Sequence, residues 1–161
     1  MLHHVSVGVS DVHRAASFYD PVLKALGYKR VMEFLPYAIA YGESKARPAF
    51  WIQLPHNQKT ATSGNGTHVG FSARSKGAVN AFHAAALKAG GSNDGEPGPR
   101  PDYGPEYYGA FIYDLDGNKV EALLDVLVSE VAKKAAAKKP AKKAKKAKVA
   151  KKAKKKKAKR R

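Results

Sequence analysis

The chain repeats itself at an offset of 64 residues, and this duplication is the strongest constraint on its fold. When residues 4–27 are laid over residues 68–91, seven of the 24 positions are identical without a gap. The identical pairs are His4 and His68, Val5 and Val69, Phe18 and Phe82, Leu23 and Leu87, Lys24 and Lys88, Ala25 and Ala89, and Gly27 and Gly91. Self-similarity of this kind predicts two copies of one structural unit.

Each copy predicts a βαβββ unit. A period-two apolar run predicts a first strand at residues 4–9 and 68–73. Apolar residues at helical spacing follow, with a buried face formed by Ala15, Phe18, Val22 and Leu26 in the first copy and by Val79, Phe82, Ala86 and Leu87 in the second. Extended segments follow at 28–34, 37–41 and 48–54, and then near 92, at 108–114 and at 118–124. Asp116-Gly117 predicts a hairpin turn between the last two. We therefore predict an α+β fold with modules at about 1–60 and 65–127.

The charge of the chain is divided very unevenly. Residues 1–128 contain 12 Lys+Arg and 12 Asp+Glu, whereas residues 129–161 contain 18 Lys+Arg and one acid. All eight tyrosines, all six phenylalanines and Trp51 belong to the first part. We predict a folded domain at 1–128, followed by a Lys/Ala-rich basic tail at 129–161 that is disordered or transiently helical because it has little to bury.

Composition also excludes several classes of function. The chain has no cysteine, so disulfides, thiol catalysis and thiolate metal sites are excluded. It has neither a signal-peptide pattern nor the roughly 20 apolar residues that span a bilayer. We expect a cytoplasmic protein without a transmembrane segment and without a nucleotide cofactor.

Four polar residues stand at related places in the two copies. His4 and His68 begin the first strands, while Gln53 and Glu121 interrupt otherwise apolar last strands. A pseudo-twofold arrangement would bring these four side chains together as nitrogen and oxygen ligands for a divalent ion such as Zn²⁺, Fe²⁺, Mn²⁺ or Ni²⁺. We expect His3 to point to the opposite face of its strand. From the residues alone, hydrogen-bonded strand positions remain an alternative to a metal site.

These features together resemble the vicinal oxygen chelate superfamily, which includes glyoxalase I, extradiol dioxygenases and bleomycin-resistance proteins. The resemblance is carried by the His-Val-Ser-Val opening, by Thr67-His68-Val69 and by the Asp-Leu-Asp-Gly-Asn-Lys-Val-Glu segment at 114–121, and it covers about residues 1–127. It implies a glyoxalase-like fold in which paired modules form a U-shaped sheet around a cleft, often in a homodimer. It also implies metal ligands at His4, Gln53, His68 and Glu121.

The resemblance leaves the activity open among three alternatives. A metal-dependent lyase or isomerase of the glyoxalase I type would use Glu121 as the catalytic base, because Gln53 cannot accept a proton. An extradiol-type dioxygenase would need only His4, His68 and Glu121, but its usual tyrosine ten residues before the glutamate is Phe111 here. A resistance-type protein would bind a small molecule without any metal.

A proline-rich stretch at residues 95–108 is predicted to be a stiff loop near the strand of Glu121. An arginine among tyrosines at a cleft suits an anionic or aromatic ligand. The alternative is that these aromatic residues close the cleft or form a dimer contact. The predicted substrate-binding residues are Arg100, Tyr103, Tyr107 and Tyr108, together with Trp51 and Phe111.

The tail resembles the low-complexity tails of linker histones and of some nucleoid-associated proteins. Lysine pairs separated by alanine supply charge without base readout, which favours non-specific nucleic-acid binding and a nucleoid-associated location. A solubilising or membrane-surface tail is the alternative. The predicted nucleic-acid-binding residues are Lys138, Lys139, Lys142, Lys143, Lys145, Lys146, Lys151 and Lys152.

Overall fold

A computed structural model describes residues 2–124 of the chain, which form eight strands and two helices. By its contacts the chain divides into Met1–Val126 and Leu127–Arg161. The predicted tail at 129–161 lies outside the described residues. The elements are β1 (Val5–Gly8), α1 (Val12–Ala25), β2 (Lys29–Phe34), β3 (Ala38–Ser44), β4 (Arg47–Gln53), β5 (His68–Ala73), α2 (Lys76–Lys88), β6 (Ser92–Pro99), β7 (Tyr108–Tyr113) and β8 (Lys119–Leu124).

The two modules have the same topology. The strand order is β1-β4-β3-β2 in the first sheet and β5-β8-β7-β6 in the second. In each sheet the first and last strands of the module pair in parallel, and the remaining neighbours are antiparallel. The predicted duplication and the α+β fold of two βαβββ modules are confirmed. The strands form two four-stranded sheets rather than one continuous sheet.

One apolar core joins the two modules. It is built from both helices and from one side of each sheet, and Phe50 of β4 meets Phe71 of β5 with 5.2 Å between ring centroids. Since side chains alternate along a strand, the other side of each sheet is turned away from this core. The first open face carries Phe34, Trp51 and Gln53, and the second open face carries Gly70, Phe111, Lys119 and Glu121.

The helix predictions hold with one exception. The predicted face of α1 is buried along its length. On α2, Leu87 is 39% exposed, whereas His83 is 4% exposed and lies in the buried stripe with Val79, Phe82 and Ala86. The prediction for Leu87 was wrong because the positions at 79, 82, 83 and 86 follow the 3.6-residue period more closely.

The predicted proline-rich loop is shorter than expected. Its first five residues, 95–99, belong to β6, which is the edge strand of the second sheet. An edge strand tolerates Pro97 and Pro99, which lack a backbone N–H, because no neighbouring strand forms hydrogen bonds along its outer side. The hairpin turn that remains is closed by the backbone N–H of Arg100, which donates to the carbonyl of Tyr107 at 2.9 Å.

The turn between β7 and β8 ties the second module to the first. Asp114, which is buried, accepts hydrogen bonds from the Tyr19 hydroxyl at 2.7 Å and from the backbone N–H groups of Asp116 and Asn118 at 2.9 and 2.7 Å. Asp116 in turn accepts from the guanidinium of Arg14 on α1 at 2.8 Å. The Asp-Leu-Asp-Gly-Asn motif therefore acts as an inter-module contact as well as a hairpin turn.

Replacing Asp114 with Ala is expected to lower the free energy of unfolding by about 3 kcal/mol or more, because buried donors on Tyr19 and on the turn lose a charged acceptor. Urea denaturation measures this loss. Asp102→Ala, at an exposed position, is the matched control and should change stability by less than about 0.5 kcal/mol. A loss below about 1 kcal/mol for Asp114→Ala would contradict this role.

Candidate functional site

The second open face places a buried carboxylate beside two hydrogen-bond donors. Glu121 on β8 is 3% exposed. Its Oε2 atom lies 3.2 Å from Nε2 of His68, and its Oε1 atom accepts a hydrogen bond from the Tyr107 hydroxyl. Because an ionised carboxylate only accepts, Nε2 of His68 is the donor in this pair. Glu121, His68 and Tyr107 form a connected polar cluster, which we call the Glu121 cluster.

Two glycines lie next to this carboxylate. A Cβ atom at Gly70, the partner of Glu121 on β5, would lie 3.4 Å from Oε2 and 3.2 Å from the Leu123 side chain. At Gly109 on β7, a Cβ atom would lie 3.1 Å from Oε1. A side chain at Gly109 would crowd Glu121, whereas one at Gly70 would crowd Leu123 and make an ordinary van der Waals contact with Glu121. The glycine on β7 therefore leaves the space that the carboxylate fills.

Tyr107 is held in its neutral, donating form. Burial raises the pKa of Tyr107 well above its usual value, and the hydrogen bond to Glu121 and the charge of Glu121 raise it further. The nearby charge of Arg100 lowers this pKa by a smaller amount. The Tyr107 hydroxyl therefore keeps its proton and donates a hydrogen bond to Glu121 throughout the neutral pH range.

Two cations flank the aromatic ring next to the Glu121 cluster. Phe111 on β7 pairs with Glu121 across the ladder. The Arg100 guanidinium lies 5.7 Å from the Phe111 ring centroid, and Nζ of Lys119 lies 5.0 Å from it. Lys119 also contacts Asp94 at 2.7 Å, and this hydrogen bond raises the Lys119 pKa. The cluster thus has an aromatic wall with positive charge beside it.

The other predicted tyrosines lie in different surroundings. Tyr103 is 65% exposed and meets Tyr107 edge to face at 5.2 Å between ring centroids. Tyr108 lies on the opposite side of β7, where its hydroxyl donates to Asn80 of α2 at 2.9 Å and its ring lies under Lys76. Strand alternation separates Tyr108 from Glu121, so we leave Tyr108 out of the candidate site.

The strand register corrects the predicted equivalence of Gln53 and Glu121. In the second sheet Gly70 pairs with Glu121, and in the first sheet the equivalent Ser6 pairs with Trp51. Trp51 is therefore the counterpart of Glu121, and Gln53 pairs with Gly8, two residues further along. The prediction was wrong because both polar residues were matched by chemical type, and two residues of strand displace a side chain by about 7 Å.

The first open face is mainly aromatic. The Trp51 ring lies 6.0 Å from that of Phe34, nearly parallel to it, and 6.3 Å from that of His4. The Trp51 indole N–H is buried and has no hydrogen-bond partner among the described residues. Gln53 lines a separate groove of about 920 Å³, together with Tyr37 and the segment at 54–61.

His3 and His4 lie just before β1 rather than within it. Their Nδ1 atoms are 2.8 Å apart, and both residues are exposed. The expectation that His3 points away from His4 was wrong, because strict alternation applies only inside a paired strand.

Residues 2–124 of one chain do not bring three protein ligands together for a divalent metal. Among residues 2–124, no group of three or more histidine and carboxylate side chains is placed to hold a metal ion. His68 and Glu121 are together, whereas His4 lies just before β1 in the first module. The described part of one chain therefore supplies two of the predicted ligands at one place.

Sequence reasoning missed four residues of this site. Lys119, Gly70 and Gly109 share the face of Glu121 through strand alternation and ladder pairing, so the period-two pattern carried a signal for them. Asp94 gave no such signal, because its contact with Lys119 depends on the bulges in the β6–β7 pairing.

The eight predicted tail lysines lie outside the described residues. In residues 2–124, neither helix is long and apolar enough to cross a bilayer.

The chain was compared with known proteins at three levels. The sequence profile of the Glyoxalase/Bleomycin resistance protein/Dioxygenase superfamily matches residues 1–122. A search of the curated proteins found no match. A glyoxalase/bleomycin resistance protein from Albidiferax ferrireducens T118 is similar in structure, with a TM-score of 0.67 and 37% identity over 78% of this chain and 98% of that one.

Two further solved structures share the fold at lower identity. A glyoxalase-related enzyme from Fulvimarina pelagi has a TM-score of 0.60 and 19% identity, over 78% of this chain and 88% of that one. Lactoylglutathione lyase from Agrobacterium tumefaciens has a TM-score of 0.55 and 18% identity, over 79% of this chain and 95% of that one. The repeated βαβββ topology and these matches agree, and the chain belongs to the glyoxalase/bleomycin resistance protein/dioxygenase superfamily.

Proposed function

We propose that the chain is a lyase or isomerase of the glyoxalase type that moves a proton on a small oxygenated substrate. Glu121 is the catalytic base of this proposal. The main observation in favour of this proposal is the Glu121 cluster. Its carboxylate is 3% exposed and is held by two hydrogen-bond donors, His68 and Tyr107, on an otherwise open sheet face.

Each member of the cluster has a distinct task in the proposed reaction. The Tyr107 hydroxyl fixes one carboxylate oxygen and so orients the other toward the open face. His68, whose side chain is 47% exposed, links the second oxygen to solvent and can pass a proton between them. Phe111 forms the apolar wall that limits access of water to the reacting carbon.

The two alternatives receive less support. An extradiol-type dioxygenase lacks its usual hydroxyl at Phe111, although Tyr107 supplies a hydroxyl to Glu121 from another position. A resistance-type binding protein has no need of a buried carboxylate with two donors, since burying a charge costs free energy unless it is compensated.

Solvent deuterium incorporation tests the proposed reaction. The full-length protein is incubated in D₂O with a panel of small α-hydroxycarbonyl compounds that includes the hemithioacetal of methylglyoxal and glutathione. NMR then follows loss of the proton on the carbon next to the carbonyl. Incorporation above the uncatalysed rate supports a proton-transfer enzyme, whereas binding without incorporation would favour the resistance-type role.

The proposal includes a divalent metal only at a site whose ligands come from two copies of the chain. His68 and Glu121 of one copy would need His4 of the other to complete three ligands for Zn²⁺, Ni²⁺, Mn²⁺ or Fe²⁺. Such an ion would supply Lewis-acid stabilisation of an oxyanion. The homodimer is supported by large apolar side chains that are exposed in the first module, namely Leu2, Phe34, Leu35 and Tyr37, of which Phe34 lies against Trp51 on the first open face.

Metal content per chain tests this arrangement. We expect the His4→Ala and His68→Ala proteins to lose most of the bound metal, because each removes one of only three ligands. Gln53→Ala should retain the metal, since Gln53 lies two residues from the position equivalent to Glu121. Elemental analysis of untagged dimer gives the result. Full metal content in the His4→Ala protein, or in a monomer, would contradict the proposal.

The basic tail supports a second, separate function. We propose that residues 129–161 bind nucleic acid without sequence preference and place the protein on the nucleoid. The observation that favours it is the excess of 18 Lys+Arg over one acid in a segment next to a formally neutral domain. Counterion release from phosphates drives such binding.

A further inference from the structure

We infer that Arg100 forms an oxyanion-binding subsite beside the Glu121 cluster, so that the substrate carries a carboxylate or phosphate group. The inference rests on the proposed function, because it names the substrate class of that same site. It depends on how Arg100 is seated, on its free charge and on its position relative to Glu121.

The edge strand β6 builds a seat for the Arg100 guanidinium. Its Nη1 atom donates to the carbonyl of Pro99 at 3.1 Å, and its Nη2 atom donates to the carbonyl of Glu96 at 2.7 Å. A Cβ atom at Gly95 would lie 3.2 Å from Nη2, and one at Gly98 would lie 3.1 Å from Nη1. The two glycines therefore leave space that the guanidinium fills.

The described residues around Arg100 leave its charge without an ion-pair partner. Within residues 2–124, no carboxylate forms an ion pair with Arg100, whereas Lys119 beside it pairs with Asp94 at 2.7 Å. The Glu96 side chain is turned toward His83 instead, at 3.8 Å. A guanidinium has five N–H donors, and two bonds to carbonyls leave three for a ligand. Two of these can face a planar oxyanion in the bidentate geometry that arginine favours.

Arg100 and Glu121 lie on opposite sides of Phe111. On β6, Phe111 pairs with Gly95, and Gly95 lies next to the Arg100 guanidinium. On β8, Phe111 pairs with Glu121. Neighbouring strands are about 4.8 Å apart, and the guanidinium lies 5.7 Å from the Phe111 ring centroid. Glu121 on β8 and the seat of Arg100 on β6 are two strand spacings apart, roughly 10 Å, so a molecule of about that length on the second open face can contact both groups. Its anionic group would meet Arg100 while a carbon toward its other end faces the carboxylate.

Three probes of similar shape test the subsite in the full-length protein: benzoate, phenyl phosphate and the neutral benzamide. Dissociation constants come from ¹H–¹⁵N NMR shifts of the amides of Gly95, Gly98 and Gly109, at fixed ionic strength. We expect at least one anion to bind about 10-fold or more tightly than benzamide. The preferred anion distinguishes a carboxylate substrate from a phosphate substrate.

Substitutions at Arg100 and Gly98 test whether the Arg100 guanidinium is the group that binds the anion. Arg100→Ala should weaken binding of the preferred anion about 10-fold or more and leave benzamide binding unchanged. The anion affinity of Arg100→Lys should lie between those of the wild type and Arg100→Ala, because lysine keeps the charge but loses the planar guanidinium with its paired donors. Gly98→Ala, which displaces Nη1, should weaken anion binding several-fold. Arg47→Ala, an exposed arginine in the first sheet, should bind as the wild type does.

Three results would overturn the inference. Arg100→Ala could bind both anions as tightly as the wild type, the wild type could bind benzamide as tightly as the anions, or the NMR chemical-shift changes could occur only in the basic tail. Failure of the inference is distinguishable from failure of the proposed function. A protein that still incorporates deuterium through Glu121 but ignores Arg100 has a different substrate class. A protein that binds anions at Arg100 but incorporates no deuterium has the subsite without the proposed reaction.

Discussion

Replacing Glu121 with Gln should lower solvent deuterium incorporation by about 10²- to 10⁴-fold, the range typical of losing a general base. The amide is close in shape to the carboxylate and keeps an oxygen that accepts from Tyr107, so the fold should be retained. It cannot accept a proton, and the reaction therefore loses its base. The measurement is the NMR exchange rate with whichever panel compound the wild type labels fastest.

Glu43→Gln is the matched control for this variant. Glu43 is an exposed carboxylate that pairs with Arg74 at 3.3 Å, away from the Glu121 cluster. Its substitution removes one negative charge and should leave the exchange rate unchanged. A Glu121→Gln protein that exchanges at the wild-type rate would show that another group acts as the base.

Removing residues 129–161 should abolish non-specific DNA binding. The deletion removes 18 cations and one acid, which takes the formal net charge from +17 to 0. If about 10 of these cations meet phosphates, the affinity of the full chain falls with salt at a log–log slope near −9. We expect the shortened protein to lose this slope and to bind at least about 10³-fold more weakly at low salt.

Fluorescence anisotropy with labelled duplexes of unrelated sequence, over a salt series, measures both quantities. A matched control keeps the length of the tail but replaces half of its lysines by Gln. The replaced residues are Lys138, Lys139, Lys142, Lys143, Lys145, Lys146, Lys151 and Lys152. The slope should then fall roughly in proportion to the lost charge. Equal binding by the shortened and full-length proteins would assign nucleic-acid binding to the neutral domain.

The fold was predictable because it is encoded twice. Matching apolar periods in both copies predict the same order of elements, and the structure has the same strand order in both sheets. Errors occurred where one residue satisfies two patterns. Leu87 is apolar and repeats Leu23, but Leu23 is fully buried whereas Leu87 is 39% exposed.

The candidate site was less predictable because register and long-range contacts form it. His68 was found because it repeats His4, and Glu121 was found because it is a polar residue in an otherwise apolar strand; the structure brings the two together. Gln53 was matched to Glu121 by its polarity, and only the pairing of β1 with β4 shows that Trp51 takes that place. The contact of Tyr107 with Glu121 depends on the turn at 100–107, whose shape no local pattern specifies.

A crystal structure of the full-length protein with bound benzoate would test most directly whether the second open face is the functional site. We expect the benzoate carboxylate within hydrogen-bond distance of the Arg100 guanidinium, with the ring beside Phe111 and Glu121. Benzoate bound in the groove next to Gln53, with the Glu121 cluster empty, would contradict it.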